Sequence, residues 1–359
     1  MTPALFHPIT LRSVEFRNRL WVPPMCQYSA ENRDGMVGDW HLVHYGAIAR
    51  GGVGSIIVEA TAVSPEGRIT PHDLGLWNSE QETSFAPLVQ IVHSHGAKVG
   101  VQIAHAGRKS GVYRAWGESD SGPIPSEHGG WQPVAPSAAA YPGYAEPREL
   151  SVDDIQRLTQ AFIDAAVRAE RVGFDFIEIH AAHGYLLHEF LSPLSNSRED
   201  TYGGSIENRA RFLLQVVEGI RARISTEMPL LVRVSATDWT DGGLTVEETI
   251  EIVRWLKDLG VDLIDVSAGG NVSKVSVSAG PGYLVPIATA IREVTGVPTA
   301  TVGLITQPQQ AEQIVLTGLA DVVLVGREIL RDPHFGLRAA RDLRATINYV
   351  PPQYARAFR

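Results

Sequence analysis

The hydrophobic positions of this chain fall into a repeated unit: an amphipathic stretch of helical period, a glycine, then a short unbroken run rich in Val and Ile. The unit appears as "IVHSHGAKVGVQI", "AAVRAERVGFDFIEI", "IVRWLKDLGVDLIDV", "IREVTGVPTATV" and "IVLTGLADVVLV". A glycine after a helical stretch suits a left-handed cap, and runs apolar on both faces suit parallel strands covered by helices. Three further runs, "NRLWVPPM", "VGSIIVEA" and "PLLVRVS", bring the strands to about eight, the number that closes a (β/α)8 TIM barrel. A doubly wound sheet has the same alternation, but where its glycine-rich dinucleotide turn should follow the first strand, the chain reads "PPMCQYS". The expected fold is an α/β, (β/α)8 barrel forming a single domain over residues 1–359.

One segment breaks the rhythm. Residues 111–147, rich in Gly, Pro, Ser and aromatics, separate the third strand from a helix opening at "SVDD", where Ser151 supplies an N-cap and Asp153 and Asp154 the first-turn acids. Such a stretch reads as a linker or as a long loop. Because it joins a strand end to its helix, it is expected over the C-terminal face of the barrel, where long loops cover active sites.

Composition narrows the function classes. A chain of 359 residues, 44% hydrophobic, can bury one large core. Its formal charge of -9 and lack of a long basic run argue against nucleic-acid or anionic-membrane partners, although a local Arg can still hold a phosphate. The single cysteine, Cys26, excludes an internal disulfide framework and a multi-cysteine zinc site. The opening "MTPALFHPITLRSVEFRNRL" has no basic head followed by an apolar stretch, and no run reaches the ~18 apolar residues of a membrane span. A soluble, cytoplasmic protein is expected.

In a barrel enzyme the chemistry comes from the C-terminal ends of the strands. Here those ends carry Pro23 to Tyr28, Glu59, Ala60, Gln102, His105, His180, His183, Tyr185, Arg233, Ser267, Gly269, Gly270, Gly303, Gly326 and Arg327. "VGL" and "VGRE" close the seventh and eighth strands, where barrels bind phosphate through backbone N–H groups and Arg; the competing reading is that these glycines only permit tight turns. "HAAHGY", residues 180–185, admits three readings. The histidines could ligate zinc with His188, Glu189 or His105, but no spacing completes a three-ligand set. They could be structural. Or two imidazole N–H groups could grip one substrate oxygen, with Tyr185 beside them as proton source.

The segment "HAAHGYLLHEFLSPLSNSREDTYGGSIENRARF" resembles the signature of the Old Yellow Enzyme family of FMN-dependent ene-reductases. "PPMCQYS", "DWHLVHYGAIARGGVGSIIVEATAVSPEGR", "VQIAHAGRK", "VRVSATD" and "VGRE" match it in the same order, so the resemblance covers nearly the whole chain. Cys26 followed by Tyr28 is similar to the thermophilic-like subgroup, which includes xenobiotic reductases. The resemblance implies reduction of a double bond conjugated to a carbonyl or nitro group, in enones, maleimides or nitroalkenes, with NADPH or NADH as electron donor.

It also implies roles. FMN would lie across the barrel mouth with its phosphate at Gly303, Gly326 and Arg327 and its ring held by Pro23, Pro24, Met25, Cys26, Ala60 and Gln102. Arg233 would sit near flavin N1, where a fixed guanidinium favours the charge left by reduction. His180 and His183 would bind the substrate oxygen, Tyr185 would protonate the α-carbon, and Tyr28 would help position the substrate. Cys26 would tune the flavin rather than act as nucleophile. The tail "YVPPQYARAFR", residues 349–359, carries Arg356 at the position that in this subgroup enters a neighbouring subunit's site, so a homodimer or homotetramer is expected. No metal is expected. Two other classes share parts of this pattern: a flavin-free barrel isomerase using Glu59 as base, and a non-catalytic FMN-binding protein.

Overall fold

Eight parallel strands close into a barrel in chain order, each hydrogen-bonded to the next and the last to the first. They are β1 (Leu20–Val22), β2 (Ser55–Ala62), β3 (Lys98–Ala104), β4 (Phe176–Ala181), β5 (Leu230–Ser235), β6 (Leu263–Ser267), β7 (Thr299–Thr301) and β8 (Val322–Leu324). The computed structural model describes residues 2–358. The main helices outside the barrel are α1 (Asp39–Arg50), α2 (Ser79–Ser94), α3 (Val152–Val172), α4 (Leu186–Leu191), α5 (Ile206–Arg221), α6 (Val246–Asp258), α7 (Val285–Thr295), α8 (Pro308–Leu316), α9 (Arg327–Arg331) and α10 (Phe335–Asp342). The expected TIM barrel is the fold, and all eight apolar runs are its strands. Among the described residues, no helix is long and apolar enough to cross a membrane.

Local chemistry sets the boundaries. Ser151 caps α3, its hydroxyl accepting from Asp154 N at 3.1 Å, and Gly173 ends it with φ of 100°, a left-handed conformation that costs glycine little. The strands are buried throughout because α2, α3, α5 and their neighbours cover them, with Phe85, Phe162 and Phe212 fully enclosed. This explains continuous apolar runs in place of alternation.

Inside, the barrel is layered. Trp21, Ile57, Phe176, Leu231 and Leu263 fill the lower end. Gly100 admits the Phe176 ring, since a Cβ there would lie 2.3 Å from it. An N-terminal hairpin, Ile9–Leu11 with Val14–Phe16, which the hydrophobic pattern did not announce, closes this end. Phe16 from the hairpin packs 4.3 Å from Trp21 and edge-on 5.6 Å from Phe176, centroid to centroid. Above this plug the inward side chains become polar.

The 111–147 segment holds little regular structure: a short 3-10 turn at Ser126–His128 and the two-residue strand Val134–Ala135, paired with Arg148–Glu149. The tail is a 3-10 turn, Pro352–Phe358, and not a simple extended end.

Candidate functional site

The upper ends of the strands meet at a mouth whose largest recess, about 320 Å³, is lined by Pro23, Pro24, Met25, Arg233, Ser267, Gly303, Gly326 and Arg327 among others. A narrow cleft beside it is walled by Ala60, Ile69, Ala104, Ala106 and Tyr185. Cys26, Tyr28, Tyr144 and Tyr185 pack on Ile69, Ala106 and Val112 at the same place. The predicted residues from β1, β2, β4, β5, β7 and β8 therefore share one end of the barrel. Arg356 does not join them: it is exposed on the tail. There Tyr354 packs 5.6 Å from the His334 ring and lies under Arg50.

His180 ends β4, while His183 and Tyr185 lie in the turn that leads into α4. The His180 ring stands 5.2 Å from His183 and 5.1 Å from Tyr185, nearly perpendicular to both. His183 has a left-handed backbone, φ 61°, a strained state for a residue with a Cβ. It is fixed on both sides: its N–H donates to Ser235 Oγ at 2.9 Å, and its carbonyl accepts from Lys109 Nζ at 2.9 Å. Lys109 Nζ also donates to the Gly270 carbonyl. Gly184 and Gly270 allow the two loops to meet, because a Cβ on Gly184 would lie 2.4 Å from the Gly270 oxygen.

Burial, reinforced by Arg233, holds both histidines well below the usual imidazole range. They are neutral at pH 7, with one N–H each. The Nε2 of His183 shares a hydrogen bond with Ser267 Oγ at 2.7 Å, so only its Nδ1 is left for a ligand. The buried Nδ1 of His180 has no partner among the described residues. Burial also pushes the Tyr185 phenol well above its ordinary value, and the Cys26 thiol likewise rises by burial and by the acids Asp73 and Glu59. Tyr185 can donate a proton; Cys26 is a thiol and not a thiolate, which removes the basis for a nucleophile.

Glu59 is placed differently from what a general base requires. The pairing of β2 with β3 shifts register between Val58 and Thr61, a bulge that re-aims the side chains around it. Glu59 Oε2 accepts from Gln27 N at 2.6 Å and Oε1 from the Tyr45 hydroxyl of α1 at 3.2 Å, while Ala60 lines the cleft. Burial raises Glu59 to about 8, but it is committed to the wall. His188 and Glu189 are committed as well, to Gly184 N at 2.9 Å and Arg108 N at 2.9 Å. Among the described residues no three His, Cys, Asp or Glu converge as a metal cage.

Several functional-looking residues carried no motif signal of their own. Lys109 sat unassigned in "VQIAHAGRK". Asp73 accepts from Ile69 N at 2.7 Å and Thr70 N at 3.0 Å, closing the turn that presents Ile69 to the cleft. Glu178 and Asp265 were hidden in apolar runs, although a single acid at an inward position of a buried strand is itself a signal.

A sequence profile described as "NADH:flavin oxidoreductase / NADH oxidase family" matches residues 4–346. The chain belongs to this family. An NADPH dehydrogenase of Geobacillus thermodenitrificans is 47% identical over 360 residues, 100% of both chains. One from Bacillus subtilis is 45% identical over 359 residues, again 100% of both. Among solved structures, the old yellow enzyme homologue from Zymomonas mobilis superposes with a TM-score of 0.78 at 31% identity, covering 96% of this chain and 94% of its own. Morphinone reductase gives 0.78 at 28%, covering 98% and 93%. The chain is thus an Old Yellow Enzyme-type oxidoreductase, with FMN as cofactor and NADPH or NADH as electron donor.

The mouth fits FMN on its own chemistry. Arg327 makes no hydrogen bond or ion pair to a described side chain and lines the same recess as the Gly303 and Gly326 backbone, a donor set suited to phosphate. Arg233, 7% exposed, lines the same recess, with its Nε 2.9 Å from Asp265 Oδ2 below.

Proposed function

We propose that this protein reduces carbon–carbon double bonds conjugated to a carbonyl or nitro group, with enones, maleimides and nitroalkenes as its substrate class. The observation that carries this is the convergence of neutral His180 and His183 with a firmly protonated Tyr185 on one mouth, their rings about 5 Å apart. An isolated alkene is a poor electrophile, so a donor on the conjugated oxygen and an acid for the carbon are what the reaction requires.

FMN, when bound, supplies the two-electron transfer from NADPH or NADH to the acceptor. Pro23, Pro24, Met25, Cys26, Ala60 and Gln102 would hold its ring, Arg233 would favour its reduced, negatively charged form, and Gly303, Gly326 and Arg327 would take the phosphate. His180 and the Nδ1 of His183 donate to the substrate oxygen and draw electron density from the β-carbon. Tyr185 delivers its phenolic proton to the α-carbon, and Tyr28 helps to position the substrate oxygen. The 111–147 segment roofs the mouth: Tyr144 packs beside Tyr185, and the Tyr141 ring lies 4.2 Å from Lys109 Nζ. Arg356 completes the site of a second copy, in a homodimer or a tetramer of such dimers.

Anaerobic spectroscopy tests the reading. NADPH should bleach the flavin, and 2-cyclohexenone should restore the colour with formation of cyclohexanone. Bleaching followed by no re-oxidation with any enone, maleimide or nitroalkene would leave the family intact and remove the proposed reaction.

A further inference from the structure

Four consecutive strands each set a polar residue between apolar neighbours: Gln102 in β3, Glu178 in β4, Arg233 in β5 and Asp265 in β6. Register pairs Gln102 with Glu178 and Arg233 with Asp265. Since side chains alternate along a strand, the residues two further on, His180, Ser235 and Ser267, point inward one step nearer the mouth, and register sets His180 beside Arg233. That upper level carries the site described above. Below lies the aromatic and aliphatic plug. The four residues are thus a polar floor between the mouth and the plug, from which Arg233 reaches the recess.

The floor is unbalanced. Glu178 and Asp265 are both 0% exposed, yet Arg233 is the one cation facing them among the described residues. Gln102 is neutral, and His180 and His183 above are held neutral by burial. Lys109 is engaged at the rim with the His183 and Gly270 carbonyls. With both carboxyls ionised the floor would hold a net negative charge in a dry interior, which is costly. One of them keeps its proton.

Geometry selects which. Asp265 Oδ2 lies 2.9 Å from Arg233 Nε, an ion pair without hydrogen-bond alignment. Glu178 has a single hydrogen bond, 2.7 Å to the Gln102 amide, and its Oε2 has none. Burial and then Asp265 raise Glu178 well above its ordinary value against the opposing pull of Arg233 and the Gln102 amide, whereas burial raises Asp265 only to about 6 while Arg233 draws it back. Electrostatics and contacts agree.

We propose that Glu178 is a neutral carboxylic acid and Asp265 an anion paired with Arg233, and that this asymmetry sets how strongly the Arg233 guanidinium favours the reduced cofactor. Neither acid touches the mouth; both are positioning residues acting through Arg233 and Gln102. The inference rests on FMN lying above the floor, as in the proposed function, and is independent of what the flavin goes on to reduce.

The test is the midpoint potential of bound FMN at neutral pH, measured by dye-equilibrated reduction of the holoenzymes without an alkene present. Glu178→Gln replaces a neutral acid by a neutral isostere, so the potential should stay where it is. Asp265→Asn removes the counter-charge and should shift the reduction equilibrium about tenfold or more toward the reduced form, about 30 mV upward for a two-electron couple. Asp265→Glu should bring it back. Equal shifts from both isosteric variants, or none from Asp265→Asn, would overturn the assignment. If Asp265→Asn does not fold, infrared difference spectra between wild type and Glu178→Gln decide the matter. Loss of a protonated carboxyl band supports the proposal, and loss of a carboxylate band instead refutes it.

Discussion

Lys109 and His183 are joined by a hydrogen bond from ammonium to main-chain carbonyl, 2.9 Å long, and the same ammonium holds the Gly270 carbonyl of the neighbouring loop. His183 keeps its left-handed backbone because this clasp and Ser235 grip it from both ends. Removing the ammonium should free the turn. Lys109→Met is expected to retain FMN while kcat/KM for an enone falls by about tenfold, the cost of misplacing a donor that acts on the reacting group. Burial lowers Lys109 to about 8, so the charged clasp is complete below that pH and weakens above it. Wild-type activity should decline across pH 8, and Lys109→Arg should carry the activity to higher pH. A Lys109→Met enzyme with the wild-type pH profile and rate would contradict this role.

The two imidazoles are unequal. His183 shares its Nε2 with Ser267, whereas the Nδ1 of His180 has no partner. His180→Ala with His183→Ala should keep the flavin, weaken the binding of phenols and enones, and slow enone reduction by about 10²- to 10³-fold. An unchanged rate would make the pair structural. Tyr185→Phe should spare reduction by NADPH and slow only re-oxidation by the alkene, which stopped-flow measurement of the two half-reactions separates.

Cys26 is held as a thiol by burial and neighbouring acids. Iodoacetamide should therefore label it slowly at neutral pH, and Cys26→Ala should give a folded, yellow enzyme with altered flavin potential. Rapid labelling, or turnover abolished with flavin still bound, would restore the nucleophile.

The tail places Arg356 in solvent, while Tyr354 anchors the segment against His334 and Arg50. Removing residues 351–359 should raise KM for substrate more than it lowers FMN content. Sedimentation of the wild type at micromolar concentration should show a dimer or larger. A monomer, or a truncated enzyme with unchanged kinetics, removes the shared site.

The helix–glycine–strand repeat was legible because buried parallel strands need apolar side chains on both faces and helices ending in Gly173-type caps leave a mark in the sequence. The mouth was legible for a related reason, since polar residues at strand ends have no part in the core. What the pattern hid lies where contacts are set by the third dimension. Glu59 reads as a strand-end base until the bulge between Val58 and Thr61 turns it to Tyr45. Lys109 lies next to Arg108 in a surface-like "GRKS", and only closure of the barrel brings it to the carbonyls of two loops 74 and 161 residues away. The hairpin at Ile9–Phe16 is too short for a periodicity to announce it.

That hairpin has a kinetic consequence. With Phe16 wedged against Trp21 and Phe176, the lower end of the barrel is stoppered, and everything that exchanges electrons with the flavin must pass through the same door. Donor and acceptor cannot queue from opposite sides; one has to leave before the other enters. Initial rates measured against both substrates should therefore give parallel double-reciprocal lines, and each substrate in excess should crowd out its counterpart.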